Sequence, residues 1–190
     1  MCSDKMTDPI KNFKKRIKDF ALKKKKGIRN PFVIVTVEPP LEHKAARELE
    51  LWAKTAENEM KINCIWMDTL FPQTEVFQII NEIPIELTSL EAVEQTLKDN
   101  LTEDIVDLIE EKYSLDSRSN VLLLLSVGSL FPFAKASGVL DELARRRAKN
   151  TVGVLFPGEP MAGRLSLYGE RPKHYYPAHT IDKKIEEGML

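Results

Sequence analysis

Cysteine is scarce in this chain: Cys2 and Cys64 stand 62 residues apart, with no CxxC spacing anywhere. That leaves nothing from which a disulfide framework or a cysteine zinc site could be assembled. Histidine is nearly as rare. His43, His174 and His179 make up the total of three, and none has the HxxxH spacing of a helical metal pair. No apolar stretch approaches the roughly 20 residues that a bilayer-spanning helix needs, and the first residues lack the apolar core of a signal peptide. The sequence therefore predicts a cytoplasmic protein without membrane contact. Net charge is close to absent as well, at -1, which predicts no bulk attraction to nucleic acid or membrane. No GxxxxGK[ST] phosphate loop, internal repeat or low-complexity tract occurs.

What is present is a chain of 190 residues, 43% hydrophobic and 30% charged, enough for one globular domain with a sizeable core. The expected layout is a single domain over 1–190: a basic amino-terminal helix (1–27), a sheet with flanking helices (31–181) and a short tail (182–190). The near-zero net charge hides an asymmetry. Residues 1–30 hold eleven Lys and Arg against three acids, a local +8, and residues 82–112 hold ten acids against two lysines, a local -8. Pairing of the two blocks within the fold is the first expectation. Ile10, Phe13, Ile17 and Phe20 recur at three- and four-residue steps, an amphipathic helix ending near Gly27. Its apolar stripe is expected to dock on the chain's own domain.

Phe32–Val37 reads as a first strand, and Leu41, Ala45, Leu49, Trp52, Ala56 and Met60 mark a long helix after Pro39 and Pro40. Ile62–Met67 follows as a second strand, giving a βαβ outline with parallel strands. Pro72 is expected to open a short helix through Ile80, and Thr88 with Glu91 has the spacing of a capping box ahead of a long acidic helix. Val121–Val127 and Thr151–Phe156 are apolar runs without alternation, which suits strands covered on both faces. Each run is expected to end in a turn, GSLFPF (128–133) and PGE (157–159). Leu165–Tyr168 and Tyr175–Ile181 are two later strand candidates. The fold class expected is α/β: a three-layer sandwich with a mostly parallel sheet, a degenerate P-loop-like or Rossmann-like form, preceded by an amphipathic helix. Ligands of such sheets sit at the carboxyl ends of the strands.

Little at those ends suggests chemistry. In P-loop hydrolases an apolar strand presents a magnesium-holding acid, but after Leu122–Leu125 stands Ser126. Ser126 and Ser129 flank Gly128 without forming GxSxG, so they read as small hydroxyls that close a strand and cap the next helix. Glu159 is the best single acid, with an exposed turn residue that caps or pairs with a nearby arginine as its plainer reading. The expectation is no catalytic residue, no metal ligand and no cofactor, with oligomeric state left open. Two alternatives stay in view. A nucleic-acid-binding subunit would use Lys23, Lys24, Lys25 and Lys26 with Arg145, Arg146 and Arg147, without the interleaved aromatics that stack bases. A cryptic nucleotide or phosphoester enzyme would use Glu159 with His174 or His179. Separately, His174 and His179 could converge with Asp182 on a loop, against the simpler reading of His174 as the exposed start of an aromatic strand.

The apolar strand with GSLFPF (128–133), VLFPGE (154–159), LSLYG (165–169) and HYYPAH (174–179) stand in one order and spacing. In these blocks, about a third of the chain, the sequence resembles the BrxB family, small proteins of the BREX phage-defence systems of bacteria and archaea. Family members commonly carry an arginine after the paired tyrosines, where this chain has Pro177, and a longer segment between PGE and the next strand. The resemblance implies a non-enzymatic component of a defence complex, bound to a PglZ-like, alkaline-phosphatase-related subunit and to other proteins of that complex. It carries over no catalytic residue. Aromatic side chains anchor many interfaces, so Phe131, Phe133, Tyr175 and Tyr176, with Glu159 beside them, are the expected contact surface. The competing expectation is that aromatics at strand ends are core.

Overall fold

The structure, a computed structural model, describes residues 8–23, 27–56, 58, 60–161, 164–167 and 177–190. Its strands are β1 (Phe32–Val37), β2 (Lys61–Trp66), β3 (Asn120–Leu125), β4 (Val152–Met161), β5 (Arg164–Leu167) and β6 (His179–Thr180). Its α-helices are α1 (Pro9–Ala21), α2 (Glu42–Thr55), α3 (Met67–Leu70), α4 (Glu75–Glu82), α5 (Leu90–Lys112) and α6 (Ala136–Arg145). Five strands lie in the order β2-β3-β4-β1-β6 with parallel neighbours, and β5 pairs antiparallel with the outer part of β4. This is not the 3-2-1-4-5 order of dinucleotide-binding sheets.

The pleat sorts the apolar runs into two cores. Val33, Val35, Val37, Val121, Leu123, Leu125 and Leu155 pack with α1 and α2 on one face. Phe32, Ile34, Leu122, Leu124, Val152, Val154 and Phe156 pack with α3 to α6 on the other. Because successive strand side chains point to opposite faces, a central strand must be apolar at every position, as β1 is except for Thr36. Three layers result. Asp8 caps α1, its carboxylate accepting from the Ile10 and Lys11 amides at 2.9 and 3.2 Å. Ile10, Phe13, Ile17 and Phe20 are all buried against the sheet.

Gly153 of β4 makes that approach possible: a Cβ there would lie 2.6 Å from Ile17 Cδ1 and 3.0 Å from Leu123 Cδ1 and Phe13 Cζ. Without a side chain the strand lets α1 settle onto it.

Several local expectations are corrected. α1 ends at Ala21 instead of near Gly27, since the lysines after Leu22 offer no apolar face to continue it. The PGE segment is no turn. β4 runs through it to Met161, with Glu159 opposite Ser166, and Gly158 is required because a Cβ would fall 2.0 Å from the Ser166 carbonyl oxygen. The cap of α5 is Ser89, not Thr88: its hydroxyl accepts from the Ala92 amide at 3.2 Å. Residues 182–190 include Ile185, which is buried and bonded to the edge of β1 through Thr36 and Glu38. Among the described residues the two charge blocks do not meet, because α1 and α5 cover opposite faces of the sheet. Lys14 of α1 instead pairs with Glu48 of α2 at 2.9 Å. Among the described residues no helix is long and apolar enough to cross a membrane.

Candidate functional site

The carboxyl ends of β1, β2 and β3 form a rim, and its centre is tied by one carboxylate that sequence reasoning passed over. Glu42 opens α2 and accepts a hydrogen bond from the Gly128 amide at 3.2 Å. Gly128 sits in the 3-10 turn Val127–Leu130 after β3, so this bond links the exits of two strands that are separated in the sheet by β4. Burial pushes the Glu42 carboxyl above its ordinary range, the Gly128 amide works against that, and Asp68 adds to it. Ser126, at φ 57°, turns the chain out of β3. Ser129 Oγ donates to the Ser126 carbonyl at 2.7 Å, which matches the strand-closing half of the reading; the Ser126 side chain makes no cap bond to the turn that follows, and α6 begins only after Lys135. His43 lies against the Trp66 ring at 5.7 Å between centroids, with Arg47 5.4 Å from the same ring. The signal for Glu42 was its place: an acid in the first turn of a helix that follows a central strand.

Beside this anchor an aromatic series leads outward. Phe131 is 36% exposed, whereas Phe133 is half-buried against the core that α5 and α6 cover. Phe133 stacks towards Phe71 at 6.4 Å, and Phe71 meets Phe77 edge-on at 5.2 Å. Thus, of the two expected contact aromatics that are described, Phe131 is partly open to solvent and Phe133 serves mostly as packing. Phe131 to Ala134 with Lys98 and Asp141 line an open groove of about 630 Å³. Tyr175 and Tyr176 lie outside the described residues.

That series ends on α4, where Val76 and Ile80 turn inward to the core while Ile79 and Ile83 turn out. Ile79, Ile83, Leu87 and Leu90 are 49%, 39%, 78% and 79% exposed. No residue of α5 ahead of Leu97 is fully buried, and Val93 packs only partly against the core. Glu75, Glu82, Glu86 and Glu91 of the same segment are exposed too. Sequence reasoning singled out none of these leucines and isoleucines as a contact surface. The clue available was that Leu87 and Leu90 straddle the start of a helix whose buried stripe begins only at Leu97.

Glu159 is exposed and held by Lys184, whose Nζ lies 2.9 Å from it and 3.7 Å from Glu38. The partner is a lysine from the final segment, not an arginine. The pairing of Glu159 with His179 is not formed. His179 stands level with Val33 and packs edge-on to Phe20 at 5.0 Å, while Glu159 lies two residues past Pro157, itself level with Val37. Six residues along a strand separate them by roughly 20 Å. His174 lies outside the described residues. Among the described residues no group of three or more His, Cys, Asp or Glu is placed to hold a metal ion. Cys64 is half-buried in β2, and burial pushes its thiol up to about 11, far from a reactive thiolate.

The basic residues divide. Arg145 and Arg146 are engaged with acids: both donate to Glu142 at 2.6 to 2.7 Å, and Arg146 also reaches Asp107 at 2.5 Å and Glu110 at 2.8 Å. These contacts, the Arg145 bond foremost, hold the Glu142 carboxyl down to about 2. Arg147 and Lys23 instead line a common cavity at the amino-terminal edge of the sheet. Lys24, Lys25 and Lys26 lie outside the described residues.

A family model described as "BREX protein BrxB" matches residues 59–181, which takes in the rim after β3, the α4–α5 elbow and the β4–β5 hairpin. No curated protein and no solved structure gives a significant match.

Proposed function

The chain belongs to the BrxB family, components of BREX phage-defence systems, and on that premise we propose that it is a non-catalytic adaptor that binds the PglZ-like subunit of a prokaryotic defence complex in the cytoplasm. One observation carries this reading: the apolar strip Ile79, Ile83, Leu87 and Leu90 on the α4–α5 elbow. These four large aliphatic side chains are 39–79% exposed, and Glu75, Glu82, Glu86 and Glu91 of the same segment are exposed too; exposed apolar surface of this kind marks interaction sites. The complementary surface is an apolar cleft with a basic rim. Burying two such leucines contributes about 1.5–3 kcal/mol each. The rim turn adds Phe131, which lines the open groove with Lys98 and Asp141.

The engagement of polar groups at the rim supports a scaffold more than a catalyst. Glu42 holds a backbone amide, Ser129 a backbone carbonyl and Glu159 a lysine. In fold terms we infer kinship with a P-loop-like sheet that has lost its phosphate loop, since the exit of β1 carries Pro39 and Pro40, neither of which has an amide to offer phosphate.

The test is co-purification of the full chain with the PglZ-like subunit of its own system. A Leu87→Glu/Leu90→Glu variant should weaken the complex by about 30-fold or more, the loss expected for interface anchors of about 2 kcal/mol or above. Its melting temperature should not move, because both side chains are nearly 80% exposed. A complex of undiminished affinity would remove the elbow from the interface.

A further inference from the structure

At the amino-terminal edge of the sheet, opposite the rim, the end of α1, the segment entering β1, the loop entering β3 and the turn entering β4 enclose a cavity of about 550 Å³. Lys23, Arg29, Arg118, Arg147 and Lys149 line it, with Asp116 as its lining acid. Among the described residues, five cations against one anion leave a local excess of +4. Arg118 donates to the Ile28 carbonyl, and Lys149 stands 3.5 Å from Asp116. Lys23, Arg29 and Arg147 form no ion pair with the described residues.

Two of these residues adopt a backbone conformation that favours glycine. Lys23 has φ 55° and Arg147 has φ 59°. They follow the last residues of α1 and α6, at the position where glycine most often ends a helix. Attraction between a cation and the carbonyl end of a helix accounts for a basic residue near each terminus. It does not account for two helices on opposite faces of the sheet delivering their left-handed residues into one cavity that Arg29 and Arg118 enter from two further loops.

We propose that this basin binds the sugar-phosphate backbone of a nucleic acid. Guanidinium and ammonium donors gathered around an open concavity match phosphate oxygens. Among the described residues no aromatic side chain lines the cavity, so none of them stacks a base there, and the contact is to backbone without sequence preference. In the sequence Lys24, Lys25 and Lys26 directly follow Lys23, a density of charge that suits a polyanion over a single nucleotide. The basin lies at the other end of the sheet from the elbow, so one adaptor can hold a protein partner and a nucleic acid together. The inference does not depend on which partner the elbow takes.

The test is fluorescence anisotropy of the full chain with a labelled 20-base-pair duplex and a labelled single strand, each of mixed sequence, between 50 and 200 mM salt. Binding to one or both should fall steeply with salt, since each neutralised phosphate contributes roughly 0.7–0.9 to the logarithmic slope. Lys23→Gly/Arg147→Gly removes two cations and gives both positions the residue their backbone favours. This variant should melt no lower than the parent, bind at least tenfold more weakly at equal salt, and lose about two from the slope. A charge-matched Lys15→Gln/Lys54→Gln control on the α1–α2 face should bind within twofold of the parent. Three results would overturn the proposal: no salt-dependent binding to either probe, an equal loss in the control, or competition by inorganic triphosphate as effective per molecule as by the duplex, which would mark a small-anion site.

Discussion

Replacing Gly153 with alanine adds one methyl group at the tightest contact between α1 and the sheet. The new Cβ would sit 2.6 Å from Ile17 Cδ1 and 3.0 Å from both Leu123 Cδ1 and Phe13 Cζ. All three neighbours are fully buried, so their tips have no solvent to move into. Overpacking of this kind costs about 1–3 kcal/mol. Alanine also narrows the unfolded ensemble and returns about 0.4–1 kcal/mol, which leaves a net loss of about 1–2 kcal/mol. For a chain of this size that lowers the melting temperature by roughly 2–8 °C. Ile17→Val deletes the nearest clashing atom and by itself costs about 0.5–1.5 kcal/mol. The Gly153→Ala/Ile17→Val pair should therefore be less destabilised than the sum of its parts, by about 0.5–1 kcal/mol. Urea unfolding of the four proteins, with slopes compared to confirm one transition, measures this coupling. Strict additivity, or a Gly153→Ala protein as stable as the parent, would refute the claim that the missing side chain is what seats α1.

Two further predictions concern pH. Glu142 is held down to about 2 by Arg145 and Arg146, so its contribution is present above the ordinary carboxylate range and is lost as pH falls from about 4.5 towards 2. Glu142→Gln should cost about 1–2 kcal/mol at pH 7 and flatten the acid limb of a stability profile; an unchanged limb would show that the cluster adds nothing. Glu42 has the opposite sign: burial raises its carboxyl, so its ionisation weakens the fold as pH climbs through the raised value. Glu42→Gln keeps an oxygen to accept from the Gly128 amide and should melt at or above the parent at pH 7, with the difference vanishing below about pH 4. A variant markedly less stable at pH 7 would mean that the charge itself is needed at the rim.

Where a physical pattern is local, the chain could be read directly. The β-favouring runs read at 32–37, 121–127 and 151–156 became strands covered on both faces over 32–37, 120–125 and 152–156, because alternate positions of each would otherwise meet water; Val127 instead enters the turn after β3. The steps of Ile10, Phe13, Ile17 and Phe20 put one stripe on one helix, and that stripe is buried. The matched blocks at 128–133 and 154–159 lie inside the span that the family model covers. What could not be read was anything that depends on which elements become neighbours. A proline followed by glycine after an apolar run signals a turn, yet pairing with β5 keeps that segment extended.

The amino-acid order alone determined which segments would be strands, which helical face would be hidden and which family signature the chain carries, since these rest on periodicity and on contiguous residues. Only the tertiary structure decided that the two oppositely charged blocks lie on opposite faces, that Glu42 reaches the turn after β3, and that Lys23, Arg29, Arg118 and Arg147 share one cavity. The reason is physical: a strand order of β2-β3-β4-β1-β6 is set by how whole faces pack, and residues a hundred positions apart become neighbours only after that choice is made.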